Sequence, residues 1–261
     1  MSSLSRFRTL LWLEARRSWV WAVGLIGSLL FWAWGMNQVR FVDPGEQLGV
    51  RAVILLVACG IGAMILCLMI GRIRSETRHG QYQVLLLTPP SGYLHTLARF
   101  SFAGVVAIVY YIIIGGLAWW AIAQAGLRLD AGSAAQLMLV CPLYGVVLGI
   151  LPALAWTLLL MVFISSYRIS GPGWVPGTVM ILATPFLVSW IAEGIWRISY
   201  RLPSWRLFAG LRAAIDTAAW EAELEGFESV FALPQEPLWV MLALSIVVLV
   251  VAGRIWQEVE A

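Results

Sequence analysis

The run Ala52–Gly71, AVILLVACGIGAMILCLMIG, contains twenty consecutive residues without a charged side chain. That is about the length of α-helix needed to cross the hydrocarbon core of a bilayer, which is roughly 30 Å thick. A helix also satisfies its own backbone hydrogen bonds, as any segment in lipid must do. The run therefore predicts a transmembrane helix.

Five further apolar runs accompany it in a chain that is 61% hydrophobic and 12% charged, with a mean hydropathy of +0.86. These values lie outside the globular range. The segments between the runs are too short for a separate soluble domain, so residues 1–261 are predicted to form one all-α integral membrane domain. Pro142 and Pro152 predict a kinked or tilted fourth span. The six predicted spans are Ser18–Met36, Ala52–Gly71, Phe100–Ala123, Leu137–Ser165, Val175–Ala192 and Leu238–Gly253.

The arginines predict the orientation of these spans. Ten of them fall on the side that carries both termini, whereas the two short loops on the other side hold only Arg40, Arg51 and Arg128. This bias places both termini in the cytoplasm. Residues 193–237 then lie outside, as helical segments at the outer interface. A seventh span over Trp196–Leu211 would bury three arginines at about 2.5–3.5 kcal/mol each, so it is rejected.

The N-terminal segment Leu4–Arg17 has helical amphipathic spacing, with apolar residues such as Phe7 and Leu10 on one face and charged residues such as Glu14 on the other sides. Such a helix is suited to lying in the headgroup plane, where its arginines meet anionic lipid. The alternative is an N-terminal extension of the first span. We expect the interfacial helix.

The composition excludes several classes of site. All 17 basic residues are arginine, and a P-loop needs a lysine on the nucleotide phosphates. The three cysteines lie at apolar depth and the two histidines in one loop, with no metal-ligand spacing. No acidic residue falls in the middle of a span, which argues against a proton-coupled transporter. We therefore expect no catalytic residues, no cofactor and no metal in this chain.

The loop after the second span carries the most informative polar sequence, ETRHGQYQVLLLTPP over Glu76–Pro90. Helical spacing through Leu87 brings Tyr82, Leu85 and Leu86 together, and Pro89-Pro90 ends the helix. A short helix with an apolar knob and flanking charges is suited to inserting into a groove on a partner. The alternative is an ordinary loop whose arginines only set the topology.

This loop resembles the corresponding segment of the type-2 ATP-binding-cassette exporter permeases. That family shows E-x-x-x-G-x-x-x-x-L-L-x-x-P between its second and third spans, and Glu76, Gly80, Leu85, Leu86 and Pro89 match it in order. The six-span plan, cytoplasmic termini, N-terminal amphipathic helix and long outer segment also fit. The family often has an acid where this chain has Gln83, a departure that affects one contact with the ATPase.

The resemblance implies a transmembrane permease subunit of an exporter in the bacterial cytoplasmic (inner) membrane. Its expected partners are a separate ATPase subunit, which binds ATP and Mg²⁺, a second permease chain, identical or related, and membrane lipid; no nucleic acid is expected. Substrate would pass between paired protomers along the first, second and fifth spans. The alternative function is a non-transporting membrane scaffold or assembly factor. The residues expected to couple the ATPase are Glu76, Arg78, Gly80, Tyr82, Leu85, Leu86 and Pro89, on a cytoplasmic coupling helix.

Overall fold

The computed structural model describes residues 3–41, 46–71, 92–124, 131–166, 189–190, 193–194, 197, 205–206, 232–233 and 235–260. Within these residues the protein is helical apart from two short antiparallel strands, β1 (Trp205–Arg206) and β2 (Ala232–Leu233), in which Trp205 pairs with Leu233. The helical segments predicted for residues 193–237 are therefore wrong at these four residues. Five of its helices are long and apolar enough to cross a membrane. The chain is therefore a multi-span membrane protein by length and composition.

The five long helices follow the predicted spans closely. They are α1 (Ser3–Gln38), α2 (Gln47–Gly71), α3 (Gly92–Gln124), α4 (131–166) and α5 (Gln235–Glu260), with a 3₁₀ turn, Val39–Phe41, after α1. They correspond to the first, second, third, fourth and sixth predicted spans. Residues 175–188 of the fifth predicted span lie outside the described residues, so the count of six stays a prediction.

The separate interfacial helix predicted over Leu4–Arg17 is wrong, because α1 continues without a break from Ser3 to Gln38. The alternative, an extension of the first span, is the arrangement found. One buried stripe runs along the whole helix and keeps a single helical phase through the expected break. Glu14, assigned from sequence to a charged outer face, lies on this stripe. Its buried members are Leu10, Ser18, Leu25, Leu29, Trp32 and Met36.

The fourth helix, α4, departs from regular geometry at both of its prolines. Its α-helical segments Ala131–Ala135, Cys141–Gly145 and Leu151–Ser166 alternate with π-helical segments Gln136–Val140 and Val146–Ile150. The residue before each proline donates its backbone N–H five residues back, Cys141 to Gln136 and Leu151 to Val146. Proline has no N–H and its ring clashes with the carbonyl four residues earlier, and a π-bulge relieves both problems. The irregularity expected in this span therefore lies at the prolines.

The core of the described bundle is centred on α3, which contacts each of the other four long helices. One apolar cluster joins α1, α2, α3 and α4, with Trp256 of α5 at its edge, and includes Leu66, Ile70, Leu154 and Leu158. A smaller cluster of Ala155, Leu159, Leu244, Val248 and Ala252 joins α4 to α5. Since α3 follows residues 72–91 in the chain, the helix that leaves the predicted coupling segment is the central element of the bundle.

Candidate functional site

The predicted coupling residues Glu76, Arg78, Gly80, Tyr82, Leu85, Leu86 and Pro89 all lie in residues 72–91, outside the described residues. The structure does describe the two helices that carry this segment. The helix α2 ends at Gly71 and α3 begins at Gly92. The contacts of these two helices determine which other helices would move if the segment moved.

The start of α3 is pressed against α5. A Cβ added at Gly92 would lie 2.7 Å from the backbone nitrogen of Gln257 and 2.9 Å from the carbonyl oxygen of Gly253. A Cβ at Gly253 would meet the ring of Tyr93 and lie 3.2 Å from Oγ1 of Thr96. The two glycines thus permit a backbone approach that larger residues would prevent, as small residues do in membrane helix packing. The first residue after the predicted coupling segment is held on the C-terminal helix.

Two turns further along α3, an ion pair joins it to α1. Nε and Nη2 of Arg99 donate to Oε1 of Glu14 at 3.1 and 2.9 Å. The side chains are only 10% and 12% exposed. A charge removed from water needs a partner, so this pair constrains how α1 and α3 can sit against each other. The same end of α3 is therefore attached to both α1 and α5.

In the middle of the bundle, two consecutive tyrosines attach α3 to α2. Oη of Tyr110 donates to the carbonyl oxygen of Ala58 at 3.0 Å, and Oη of Tyr111 donates to that of Cys59 at 2.7 Å. Ser28 Oγ of α1 lies 3.5 Å from the Tyr110 hydroxyl. Each phenol thus finds an acceptor at a depth where water is absent. These contacts fix the spacing of the two helices that bracket residues 72–91.

At the far end of the same two helices, Arg51 of α2 is 2% exposed and its Nη1 donates to the carbonyl oxygen of Ala121 in α3 at 3.1 Å. Its Nε is buried without a hydrogen-bond partner in the described part of the chain. An ionisable side chain buried at a span end is costly, and such residues usually have a role. The helices α2 and α3 are thus joined by polar contacts at mid-depth and again at the end away from residues 72–91.

The described polar side chains mostly connect one helix to another. Among the described residues, no group of three or more His, Cys, Asp or Glu side chains could hold a metal ion. Cys59, Cys67 and Cys141 are free thiols of intermediate burial on α2 and α4. The polar side chains instead bridge helices, and they converge on α3.

Sequence reasoning missed these bridging residues. Arg51 and Arg99 were counted only as markers of orientation, and Glu14 as part of a charged face. The pairing of Glu14 with Arg99 crosses 85 positions, so no local pattern reveals it. Tyr110-Tyr111 offered a weak signal, because two phenols in mid-span each need an acceptor.

Comparison of the chain with family models, with curated proteins and with solved structures finds no match. A function for this chain can therefore be inferred only from its own residues.

Proposed function

We propose that this chain is the membrane subunit of an ATP-driven exporter and takes mechanical work from a separate ATPase subunit bound at residues 76–89. The observation that carries the proposal is the ordered match of Glu76, Gly80, Leu85, Leu86 and Pro89 to the permease pattern. Its position supports the proposal, because the match falls in the connection between the second and third spanning helices. In this scheme Tyr82, Leu85 and Leu86 form the apolar knob, and Glu76 and Arg78 flank it.

The contacts of α3 give the proposed work a route. A displacement of the segment pulls on the start of α3, which packs on α5 through Gly92 and on α1 through Arg99. It also pulls on the end of α2. This helix is hydrogen-bonded to α3 near its middle, at Ala58 and Cys59. Interfaces that are well packed shift as units. A small movement at the ATPase would therefore reorient α1, α2, α3 and α5 together.

The test is to express the chain with the ATPase encoded beside it and to measure co-purification and vanadate-sensitive ATP hydrolysis. Glu76→Gln and Gly80→Val are each expected to lower hydrolysis in the complex to the rate of the isolated ATPase. Thr88→Ala is the matched control, because Thr88 lies in the same segment but outside the motif. Gln83→Glu, which introduces the acid common in the family, is expected to leave the complex at least as tightly coupled.

A crosslink provides the direct readout of contact. After Cys59, Cys67 and Cys141 are replaced by alanine, a cysteine at position 82 is expected to crosslink to the ATPase subunit. Unchanged hydrolysis in the Glu76 and Gly80 variants, together with no crosslink, would contradict the proposal. That outcome would favour the scaffold or assembly factor, which needs no ATPase at this loop.

A further inference from the structure

The exposed face of α1 marks where the membrane begins. Every exposed residue of this helix between Arg16 and Asn37 is apolar, including Trp19, Ile26 and Trp34. At 1.5 Å per residue the 21 steps from Arg16 to Asn37 cover about 31 Å, close to the roughly 30 Å hydrocarbon core of a bilayer. Arg16 therefore lies at the boundary between acyl chains and headgroups, on the side of α1 that faces lipid.

An aromatic ring lies beside that arginine. The guanidinium carbon of Arg16 is 5.5 Å from the centre of the Trp12 ring, and Trp12 is 57% exposed. Cation–π contact orients the planar guanidinium and leaves its edge available for a bidentate acceptor such as a phosphate. Tryptophan is itself favoured at headgroup depth. The pair thus presents a fixed donor group at the level of lipid phosphates.

The charge around the pair has one sign. Arg8 is exposed on the same stripe, about 12 Å further from the hydrocarbon at 1.5 Å per residue. The one acidic residue of α1, Glu14, points to the opposite, buried face and binds Arg99. Within α1, no acid on the exposed stripe therefore neutralises Arg16, and a net negative headgroup gains more from it than a zwitterionic one.

We propose that Trp12 and Arg16 form a binding site for the headgroup phosphate of an anionic phospholipid. The bound lipid would fix the depth of α1 in the membrane. Because Glu14 on the same helical turn is paired with Arg99, it would also fix the depth of α3. The proposal does not depend on the exporter function.

The test uses the full-length chain in a neutral detergent, titrated with phosphatidylglycerol or phosphatidylcholine of identical acyl chains. Bound lipid is counted by native mass spectrometry. Arg16→Gln is expected to weaken phosphatidylglycerol binding about fivefold, the equivalent of about 1 kcal/mol for one basic residue at an anionic surface. Trp12→Leu is expected to weaken it as well, and Trp12→Phe to retain most of it because the aromatic face remains. Phosphatidylcholine binding is expected to be weaker and to change little in these variants.

Arg6→Gln is the matched control, since Arg6 is also exposed on α1 and the same charge is removed. It lies about 15 Å from Arg16 along the axis, beyond the Debye length of about 8 Å, so a change below about twofold is expected. Equal losses for Arg6→Gln and Arg16→Gln would show unspecific charge attraction and overturn the site. Equal binding of the two lipids, or displacement of phosphatidylglycerol by inorganic phosphate at the same concentration, would overturn it too.

Discussion

The hydroxyl of Tyr111 in α3 donates a 2.7 Å hydrogen bond to the backbone carbonyl oxygen of Cys59 in α2. The preceding residue, Tyr110, makes the equivalent bond to Ala58 at 3.0 Å. Lipid tails are as apolar as leucine, so apolar surface alone gives little reason for two helices to associate in a membrane. Directed hydrogen bonds of this kind therefore contribute to the pairing of α2 and α3, the helices on either side of residues 72–91.

Removing either phenol hydroxyl is expected to weaken this pairing. Interhelical hydrogen bonds in membrane proteins contribute about 0.6 kcal/mol on average and up to about 1.7 kcal/mol, and Tyr110→Phe and Tyr111→Phe should each fall in that range. The free energy of unfolding in mixed micelles measures the loss. Tyr93→Phe is the control, because Tyr93 lies on the same helix and is 38% exposed. An equal loss in all three variants would mean that the two bonds add nothing specific.

The buried ion pair predicts a different pattern. Glu14→Leu removes the carboxylate from a guanidinium that is 10% exposed, and about 3 kcal/mol of stability should be lost, as is usual when one partner of a buried pair is removed. The double variant Glu14→Leu/Arg99→Leu should be closer to the parent, because no buried charge remains. The exposed pair Arg197–Glu193 is the control, and Glu193→Gln should cost less than about 1 kcal/mol. Additive losses at Glu14 and Arg99 would contradict this reading.

The positions of the spanning helices could be predicted from sequence because apolar length is a local property. The predicted span Ala52–Gly71 lies within α2 and ends at the same residue, and Leu238–Gly253 lies within α5. The irregularity at the prolines of the fourth span could also be predicted, since a missing N–H disturbs the interior of any helix. Composition and proline placement were thus enough to predict where the spanning helices lie and where α4 is irregular.

The error at the N-terminus has a physical cause. Amphipathic spacing shows which side of a helix is polar but not what faces it, and Glu14 was read as exposed when its partner is Arg99. Because that pair is buried between α1 and α3, the N-terminal part of α1 packs in the bundle. The helix therefore has no reason to bend into the headgroup plane. The tyrosine and arginine contacts to backbone carbonyls were missed for the same reason, because the acceptors Ala58, Cys59 and Ala121 carry no sequence signal.

Two glycines of α2 allow the packing around Tyr110 to be tested. A Cβ at Gly62 would lie 2.7 Å from Cζ and 2.9 Å from Oη of Tyr110, whereas a Cβ at Gly60 would meet nothing within 4 Å. Gly62→Ala should therefore move the ring away from Ala58 and cost about 1–3 kcal/mol, the usual penalty for overpacking. Gly60→Ala should cause no loss, since alanine is the better helix former by about 1 kcal/mol. Thermal unfolding of the two variants measures the difference, and equal midpoints would refute the contact.

Neighbouring glycines of α3 test how the bundle accommodates the first proline of α4. Because Pro142 has no N–H, the carbonyl of Met138 lacks the donor that another residue at 142 would supply. A Cβ at Gly115 would lie 2.8 Å from that carbonyl oxygen and 2.6 Å from Cγ of the proline, whereas a Cβ at Gly116 would meet only the flexible end of Met138, at 3.9 Å.

Gly115→Ala is therefore expected to cost about 3 kcal/mol, at the upper end for overpacking, because a backbone carbonyl cannot rotate away as a side chain can. Gly116→Ala should cause no loss of stability, because alanine is the better helix former and its methyl group would meet only the end of Met138. Pro142→Ala removes the ring and restores the N–H, so combining it with Gly115→Ala should recover at least about 0.5 kcal/mol relative to additivity. Strict additivity of these two changes would mean that the bare backbone of Gly115 serves some purpose other than making room for the proline.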